Sequence, residues 1–277
     1  MVSVIIPVFN RYPLLQEAAA SVLAQSHLDF ELVIVDDGSE DETAELTGGT
    51  DGFFRDVRVK IIHVKHSGMP GLVRNIGAGA AQGSYLAFLD SDDLWEQDKL
   101  KLQAAFFQDN PDLRICHTRE RWIRKGKEIS QAGQKHRREG MIFQDALEKC
   151  IIGPSTVMME RSLFQETRGF REDLEIAEDY EYWLRITPFH EIGYIDLPLI
   201  EKRAGHGGQL SEKYGHIEYF RIQGLKDLVD RNYFPEEQQT SARQELARKC
   251  GIYAAGCEKR GKKEDAAEYS ALQRKYS

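Results

Sequence analysis

The stretch SYLAFLDSDDLW, residues 84–95, decides the expected fold because it joins a short apolar run to three carboxylates. A short apolar run bounded by turn residues predicts a strand that is buried on both faces of a sheet. Ligands of open parallel α/β sheets bind beyond the carboxyl ends of the strands. Side chains alternate along a strand, so Asp90 and Asp92 are expected on one side and Ser91 on the other. The stretch therefore predicts a strand end at which negative charge meets a ligand.

The residues before this stretch alternate between strand and helix patterns. Apolar runs rich in β-branched residues predict strands, and apolar residues at helical spacing predict the helices between them. This order is typical of a parallel sheet with helices on both faces. Strands are predicted at 2–8, 30–37, 59–64 and 84–90, and helices at about 13–25, at 70–81, at 95–107 and, as a helix start, after Ser39.

The pattern changes after Pro111. Alternating apolar residues predict a strand at 113–119, and RWIRKGKEIS, 121–130, is typical of a hairpin about Gly126. Further elements are predicted as a strand at 155–160, helices at 143–150 and 177–186, an extended segment at 192–203, and helices from about 212 onward.

The composition excludes several classes of protein. Hydrophobic residues make up 41% of the 277 residues and suffice for a core, and a net charge of −8 argues against a general nucleic-acid binder. No run approaches the ~20 apolar residues of a membrane span, and the apolar N-terminus lacks the basic leader of a signal peptide. The cysteines lack the spacing of a zinc site, so a reduced, cytoplasmic chain is the simplest fit.

Two acidic strand ends converge if this sheet forms, because DDGS, 36–39, follows the second strand. A dinucleotide site would need G-x-G-x-x-G after the first strand, where this chain has PVFNRY. A phosphatase of the haloacid dehalogenase type would carry its Asp-x-Asp on the first strand, with Thr or Val in place of Leu94. A nucleotide-diphosphate site fits better, since Asp90 and Asp92 can share one Mg²⁺ or Mn²⁺ with phosphate oxygens. The alternative is a turn in which Asp93 caps the next helix.

Four stretches together resemble an inverting family 2 glycosyltransferase of the GT-A fold. They are VSVIIPVFNR (2–11), SVLAQSHLDFELVIVDDGSEDET (21–43), MPGLVRNIGAGAAQGSYLAFLDSDDLWEQDKL (69–100) and GFREDLEIAEDYEYWLRI (169–186). The resemblance covers roughly 1–211 and implies an α/β catalytic domain with a Rossmann-like, mostly parallel sheet and flanking helices. Residues 1–110 would form its nucleotide-sugar-binding half and 111–211 its acceptor-binding half, and 212–277 are expected to form a C-terminal helical extension.

The resemblance also implies the residues of the nucleotide pocket. Phe9 would lie against the base, Asp37 would accept a hydrogen bond from the base or the ribose, and Arg74 would lie near the phosphates. The alternative for Arg74 is a surface salt bridge. The lining contributed by the first strand end would consist of Pro7, Val8, Phe9 and Asn10.

The acidic turn would supply the metal site and the sugar contacts. Asp92 would hold Mg²⁺ or Mn²⁺, while Asp90 and Ser91 would lie at the ribose or sugar side, with Asp90 also beside the metal. Asp93 would support either neighbour or cap the next helix.

The resemblance places the catalytic base in the pair Glu178-Asp179. Asp179 would take the proton of the acceptor hydroxyl, and Glu178 would orient the acceptor or its neighbour. The N-terminus of a helix stabilises a carboxylate at this position. The alternative is that Asp179 only caps its helix. In the following AGHGGQLS loop, 204–211, His206 would reach the metal or the diphosphate, and Arg203 or Lys202 would pair with phosphate.

We therefore predict a metal-dependent enzyme that moves one sugar from a UDP-, GDP- or dTDP-linked donor to a glycan or glycolipid hydroxyl, in cell-surface polysaccharide or glycoconjugate synthesis. It is expected in the cytoplasm, with peripheral contact to the inner face of the membrane as a further expectation. The alternatives are a nucleotidyltransferase of similar fold and a non-catalytic sugar- or nucleotide-binding domain. The C-terminal helices would either pack on the catalytic domain or form a homodimer surface, and no nucleic-acid partner is expected.

Overall fold

The computed structural model describes residues 1–50, 52–130, 136–205 and 217–277. The strands in these ranges form one mixed sheet. Its strands are β1 (Val2–Val8), β2 (Phe30–Asp36), β3 (Val59–His63), β4 (Tyr85–Phe88), β5 (Leu94–Trp95), β6 (Ile115–Arg124), β7 (Lys127–Ile129), β8 (Met158–Glu160) and β9 (Gly193–Ala204). They lie in the order β3-β2-β1-β4-β8-β6-β9-β5, and β7 pairs with β6. The pairs β1–β2, β2–β3 and β1–β4 are parallel, as predicted, whereas β8 runs antiparallel to β4.

The helices flank this sheet and extend beyond it. They are α1 (Tyr12–Leu23), α2 (Pro70–Ala80), α3 (Lys99–Asp109), α4 (Phe143–Glu148), α5 (Arg161–Glu166), α6 (Glu178–Ile186), α7 (Ile217–Asp230), α8 (Glu236–Lys259) and α9 (Lys263–Tyr276). Within the described residues, no helix is both long and apolar enough to cross a membrane.

Alternation along β1 builds an apolar layer on each face of the sheet. Ile5 packs in the layer that contains α2, whereas Val4 and Ile6 pack in the layer that contains α1. A Cβ added at Gly77 of α2 would lie only 2.5 Å from Ile5 Cγ2, so glycine lets this helix approach the strand. The predicted sheet with helices on both faces is confirmed.

A third apolar cluster joins the C-terminal helices to the middle of the chain. Leu147 of α4 and Tyr180 of α6 share this cluster with Leu225 of α7 and Leu246 of α8. Gly224 allows the close contact, because a Cβ there would lie 3.1 Å from Glu181 Cβ. The helices α7 and α8 therefore pack against and support α6, which begins at the predicted catalytic pair Glu178-Asp179.

Two predicted helix starts were wrong. The helix predicted at 95–107 begins at Lys99, because Leu94–Trp95 instead forms β5 and pairs with β9. The indole of Trp95 is buried and donates to Ser155 O at 2.9 Å, which holds this segment extended. The helix start predicted after Ser39 is only a 3₁₀ turn, Glu42–Glu45. Asp93 therefore caps no helix.

Candidate active site

A cavity of about 440 Å³ lies beyond the carboxyl ends of β1, β2 and β4, where the two halves of the chain meet. A second cavity, about 280 Å³ between α4 and α8, contains none of the predicted site residues. Asn10 and Arg203 do not line the larger cavity, and His206 lies outside the described residues. The predicted residues that do line it are Pro7, Val8, Phe9, Asp37, Arg74, Asp90, Ser91, Asp92, Glu178 and Asp179.

One wall of the cavity is aromatic. The rings of Phe9 and His66 stack with their centroids 3.9 Å apart, so His66 covers one face of Phe9. The carboxylate of Asp37 accepts hydrogen bonds from Ser67 N at 2.9 Å, Ser67 Oγ at 2.8 Å and Gly68 N at 2.9 Å. Asp37 thereby fixes the loop that carries His66 against Phe9.

Asn10 ties together the loops that follow β1 and β2. Its backbone is in the left-handed region, with φ 51°, and its N–H donates to Ser39 Oγ at 2.8 Å. Its side-chain Oδ1 accepts from Glu40 N at 2.7 Å. Asn10 thus supports the cavity from behind rather than lining it.

Arg74 joins the two halves of the chain. It is 5% exposed, its Nη2 donates to Asp90 Oδ1 at 2.7 Å, and its Nη1 donates to Glu178 Oε1. Burial would raise the pKa of Asp90, but the charges of Arg74 and Lys202 outweigh burial and hold that pKa below its usual value. Burial raises the pKa of Glu178 to about 7, against the opposing charge of Arg74. Arg74 is itself buried and pairs with the buried Glu178 and the half-buried Asp90, so it does not make the surface salt bridge considered above.

Asp92 faces Arg11, a residue that the sequence analysis did not assign. Arg11 Nη1 donates to Asp92 Oδ2 at 2.8 Å, and Asp92 is 7% exposed. Among the described residues, no three His, Cys, Asp or Glu side chains cluster as a metal site. Mg²⁺ and Mn²⁺, however, often take one or two carboxylates and complete their coordination with substrate phosphates. The carboxylates of Asp92 and Asp90, which both line the cavity, offer oxygen ligands of the kind that such an ion takes.

Asp93 is buried beneath this turn. Its Oδ2 accepts from Ser155 Oγ at 2.7 Å, and its Oδ1 accepts from Arg203 N at 3.3 Å. Burial raises the pKa of Asp93 to about 8, and the negative charges of Asp90 and Asp92 act in the same direction. Asp93 therefore anchors the acidic turn to the 3₁₀ turn at Pro154–Thr156.

Asp179 occupies the opposite wall, in the first turn of α6. Its Oδ1 accepts from Tyr180 N at 2.6 Å and its Oδ2 from Cys150 Sγ at 3.3 Å. Burial and the charge of Asp179 raise the pKa of the Cys150 thiol well above its usual value, so the thiol stays protonated and donates. The cap position belongs to Ala177, at φ 63°, so Asp179 is not the helix cap considered above.

Successive residues of β9 face opposite sides of the sheet. Arg203 Nε donates to Asp92 O at 2.7 Å and its Nη1 donates to Glu17, so this side chain braces the acidic turn from outside the cavity. Lys202, the alternative to Arg203 in the sequence analysis, lines the cavity.

Comparisons with known proteins agree with this architecture. The model of the family described as Glycosyl transferase family 2 matches residues 3–168. The uncharacterized glycosyltransferase RC0461 of Rickettsia conorii is 38% identical over 206 residues, which are 74% of this chain and 33% of that protein. The chain thus spans about a third of the length of this relative.

A shorter relative and two solved structures extend the comparison. The Escherichia coli protein WfgD, named as a UDP-Glc:alpha-D-GlcNAc-diphosphoundecaprenol beta-1,3-glucosyltransferase, is 29% identical and the match covers 72% of this chain and 75% of WfgD. Residues 1–349 of S. aureus TarS, in complex with UDP-GlcNAc, superpose with a TM-score of 0.73 at 22% identity, over 92% of this chain and 72% of that one. The mannosyltransferase PcManGT of Pyrobaculum calidifontis, in complex with GDP-Man and Mn²⁺, gives 0.64 at 16% identity, over 98% and 78%. The predicted GT-A-like fold is thereby confirmed.

Proposed function

The chain belongs to glycosyl transferase family 2, and on this premise we propose that its cavity transfers one sugar from a nucleotide-diphospho-sugar to an acceptor hydroxyl with inversion. The carboxylates of the cavity carry the proposal. Asp90 and Asp92 on one wall are paired with arginines, whereas Asp179 on the opposite wall makes no ion pair with any residue in the described ranges. The first wall suits the binding of a charged sugar donor, and the second offers a carboxylate that can act as a general base.

The reaction is a single displacement at the anomeric carbon. The acceptor oxygen forms its bond to that carbon while the bond to the diphosphate oxygen breaks, and the nucleoside diphosphate leaves with the electron pair. Asp179 takes the hydroxyl proton as the new bond forms. Attack from the side opposite the leaving group inverts the anomeric configuration. Glu178, held by Arg74, would orient the acceptor beside Asp179.

A divalent cation, Mg²⁺ or Mn²⁺, would neutralise charge on the leaving diphosphate. Asp92 would hold it, with Asp90 as a second oxygen ligand. The oxygen chemistry of this wall and the Mn²⁺ in the PcManGT complex support this assignment. The predicted contribution of His206 to the metal or the diphosphate stays a prediction.

The donor and acceptor classes are proposed from chemistry and from the relatives. Phe9 and His66 offer an aromatic wall to a nucleotide base, and Asp37 and Arg74 would complete the nucleotide side. The UDP-, GDP- and dTDP-linked sugars all remain candidates, as the UDP-GlcNAc of the TarS complex and the GDP-Man of the PcManGT complex illustrate. A glycan or glycolipid acceptor, in polysaccharide or glycoconjugate synthesis, agrees with the lipid-linked acceptor in the name of WfgD.

The organisation of the chain is part of the proposal. Residues 1–211 would form the catalytic domain and 212–277 a helical extension that supports α6. We also propose a cytoplasmic location, contact with the inner face of the membrane and a homodimer through the C-terminal helices.

A thermal-shift panel of UDP-, GDP- and dTDP-sugars, each with and without Mn²⁺, tests the proposal, because a bound donor stabilises the folded state. We expect one nucleotide class to raise the melting temperature, with a larger rise when Mn²⁺ is present. Release of nucleoside diphosphate upon addition of an acceptor glycan should follow. A melting temperature unchanged by every donor would contradict the proposal, and donor binding without turnover would favour the non-catalytic alternative.

A further inference from the structure

Arg11 is a cavity residue that the reaction above does not use. It follows β1 and precedes α1, and it lines the cavity together with Asp92. Its Nη1 donates to Asp92 Oδ2 at 2.8 Å. The side chain of Arg11 is 22% exposed, whereas that of Arg74, another arginine of the cavity, is 6% exposed. The guanidinium that faces the proposed metal ligand is thus the less enclosed of the two.

The backbone around Arg11 is held by contacts that do not involve its guanidinium. Tyr12 N donates to Asp41 Oδ2 at 2.9 Å, and Arg11 O accepts from Leu15 N at 2.9 Å as α1 begins. The preceding residue, Asn10, is anchored by the two hydrogen bonds described above. Because an arginine side chain turns about several single bonds, the guanidinium can leave Asp92 while the cavity wall stays in place.

The position of Asp92 does not depend on Arg11 either. Asp92 O accepts from Arg203 Nε at 2.7 Å, and Asp93 N donates to Asp90 O at 3.0 Å, which closes the turn around Asp92. Asp93 is anchored in turn by Ser155. A variant that lacks the guanidinium should therefore keep the Asp92 carboxylate in the cavity.

A divalent cation and the guanidinium would compete for the same carboxylate. The proposed ion binds through Asp92, and the guanidinium already lies against Asp92 Oδ2. Two cations on one small carboxylate repel each other, and the repulsion is stronger in a partly buried site than in water. The ion must therefore displace Arg11 or bind beside it, and either event weakens the affinity of the ion for Asp92.

The nucleoside diphosphate changes this balance. Bound alone, the ion adds two positive charges next to Arg11. Mg²⁺ and Mn²⁺ sites commonly include the phosphates of the substrate. A diphosphate that enters with the ion brings negative charge, which stabilises both the ion and a guanidinium that has left Asp92. The cost of releasing Arg11 is thus offset when the donor binds together with the ion.

We infer that Arg11 competes with the divalent cation for Asp92 and thereby makes binding of the cation depend on the donor. The inference rests on the proposed function, namely on Asp92 as metal ligand and on a nucleotide-linked donor. Coupling between two ligands is reciprocal, so the cation and the donor strengthen each other's binding by the same factor. Arg11 would keep the acidic turn from filling with metal before the donor arrives.

Calorimetric titration of Mn²⁺ into the wild type and Arg11→Met tests the inference. Each protein is titrated without nucleotide and with a saturating amount of the nucleoside diphosphate that the wild type binds. Without nucleotide, Arg11→Met should bind Mn²⁺ about tenfold more tightly than the wild type, a factor within the usual range of coupling between sites. With nucleotide, the two affinities should agree within about twofold, because Arg11 has then left Asp92 in the wild type.

Three further variants serve as controls. Arg11→Lys keeps the positive charge and should bind Mn²⁺ nearly as the wild type does. Arg58→Met removes an arginine of similar exposure, 28%, from its aspartate partner Asp56 outside the cavity, and should also match the wild type. In the double variant Arg11→Met with Asp92→Asn, the gain in Mn²⁺ affinity should disappear.

Several results overturn the inference. Without nucleotide, Mn²⁺ affinity of Arg11→Met equal to or weaker than that of the wild type would show that the guanidinium does not oppose the ion. A gain that survives Asp92→Asn would place the ion elsewhere. If Arg11→Met does not fold, Arg11→Gln replaces it under the same criteria.

Failure of the proposed function gives a different pattern. If the wild type binds none of UDP, GDP and dTDP, with or without Mn²⁺, the donor site itself is wrong and the inference falls with it. If a nucleotide binds but Mn²⁺ does not strengthen its binding to the wild type, the metal assignment fails. If that coupling is present in the wild type and is unchanged in Arg11→Met, only the role of Arg11 is rejected.

Discussion

The two walls of the cavity hold their carboxylates in different ways. On the wall that we propose binds the donor, the donor wall, Asp90 faces Arg74 at 2.7 Å and Asp92 faces Arg11 at 2.8 Å. On the opposite wall, which we propose faces the acceptor and call the acceptor wall, Asp179 faces the Cys150 thiol at 3.3 Å and the Tyr180 N–H at 2.6 Å. Asp90 and Asp92 are thus paired with permanent cations. Asp179 accepts hydrogen bonds only from neutral donors among the described residues, although its neighbour Glu178 is paired with Arg74.

This difference agrees with the two roles that the proposed mechanism gives to these carboxylates. A guanidinium beside a carboxylate favours the charged form, which suits a group that must remain an anion next to a metal or a sugar. A general base must instead accept a proton during the reaction, and a direct ion pair would oppose that protonation. In the proposed mechanism, the arginines would keep Asp90 and Asp92 charged, and the neutral donors would leave Asp179 able to accept a proton.

The largest effect is expected from Asp179→Asn. The amide keeps the shape of the carboxylate but cannot take a proton, so kcat should fall by about 10³-fold. Donor affinity, measured by calorimetry, should stay within about twofold, because the donor wall is unchanged. If turnover persists near the wild-type rate, Asp179 is not the base and the contrast between the walls has another origin.

Arg74→Met is expected to have the next largest effect. It leaves the buried carboxylate of Glu178 and the half-buried carboxylate of Asp90 without their cation, and removal of one partner from a buried ion pair costs about 3–5 kcal/mol. The free energy of unfolding, measured by urea denaturation, should fall by that amount. The double variant with Glu178→Gln should recover part of the loss, and a single variant as stable as the wild type would show that these ion pairs add nothing to stability.

Asp92→Asn tests the donor wall alone. The amide is uncharged and a weaker metal ligand, so most of the part of donor affinity that depends on Mn²⁺ should be lost. Donor binding in the absence of Mn²⁺ should change little, since Asp92 would act through the metal. An Mn²⁺ dependence equal to that of the wild type would remove Asp92 as the metal ligand and leave it as a partner of Arg11.

The fold of residues 1–110 was largely predictable from sequence, and the fold of the residues after Pro111 less so. The strands ending near Val8, Asp36 and Phe88 are short apolar runs whose burial dictates their structure, and the polar residues that follow them reach the cavity. Leu94–Trp95 shows the limit of this reasoning. It looks helical locally, but pairing with β9, more than a hundred residues later, makes it a strand.

The partners of the site residues were missed for the same reason. Arg11, His66 and Cys150 lie 81, 29 and 29 residues from the partners Asp92, Asp37 and Asp179 that they contact. Nothing in the local sequence distinguishes them from ordinary surface or core residues. Strand alternation was the one usable signal, and it would have chosen between Lys202 and Arg203 had the side of β9 that faces the cavity been known.

Asp93 combines features of both walls, and the dependence of stability on pH tests it. It lies on the donor wall but accepts from a hydroxyl and a backbone N–H, and burial raises its pKa to about 8. Because the folded-state pKa exceeds the unfolded one, its contribution to stability is fully present below about pH 4 and is lost as the pH rises towards 8. The free energy of unfolding of the wild type should thus fall across this window relative to Asp93→Asn, by at most about 1.4 kcal/mol per pH unit. Parallel pH curves for the two proteins would show that Asp93 does not titrate there.

The smallest effect is expected at Cys150, whose substitution removes a neutral hydrogen-bond donor from Asp179, the proposed base. A hydrogen bond of this kind contributes about 0.5–1 kcal/mol, so Cys150→Ala should lower kcat by about two- to fivefold and leave donor affinity unchanged. Cys150→Ser restores a donor of similar size and should recover most of the rate. The reason is orientation: without the thiol, only the Tyr180 N–H holds the carboxylate, and Asp179 can turn away from the acceptor hydroxyl. A serine variant as slow as the alanine variant would mean that packing around the sulfur matters and not the hydrogen bond, and the acceptor wall would then position its base by packing alone.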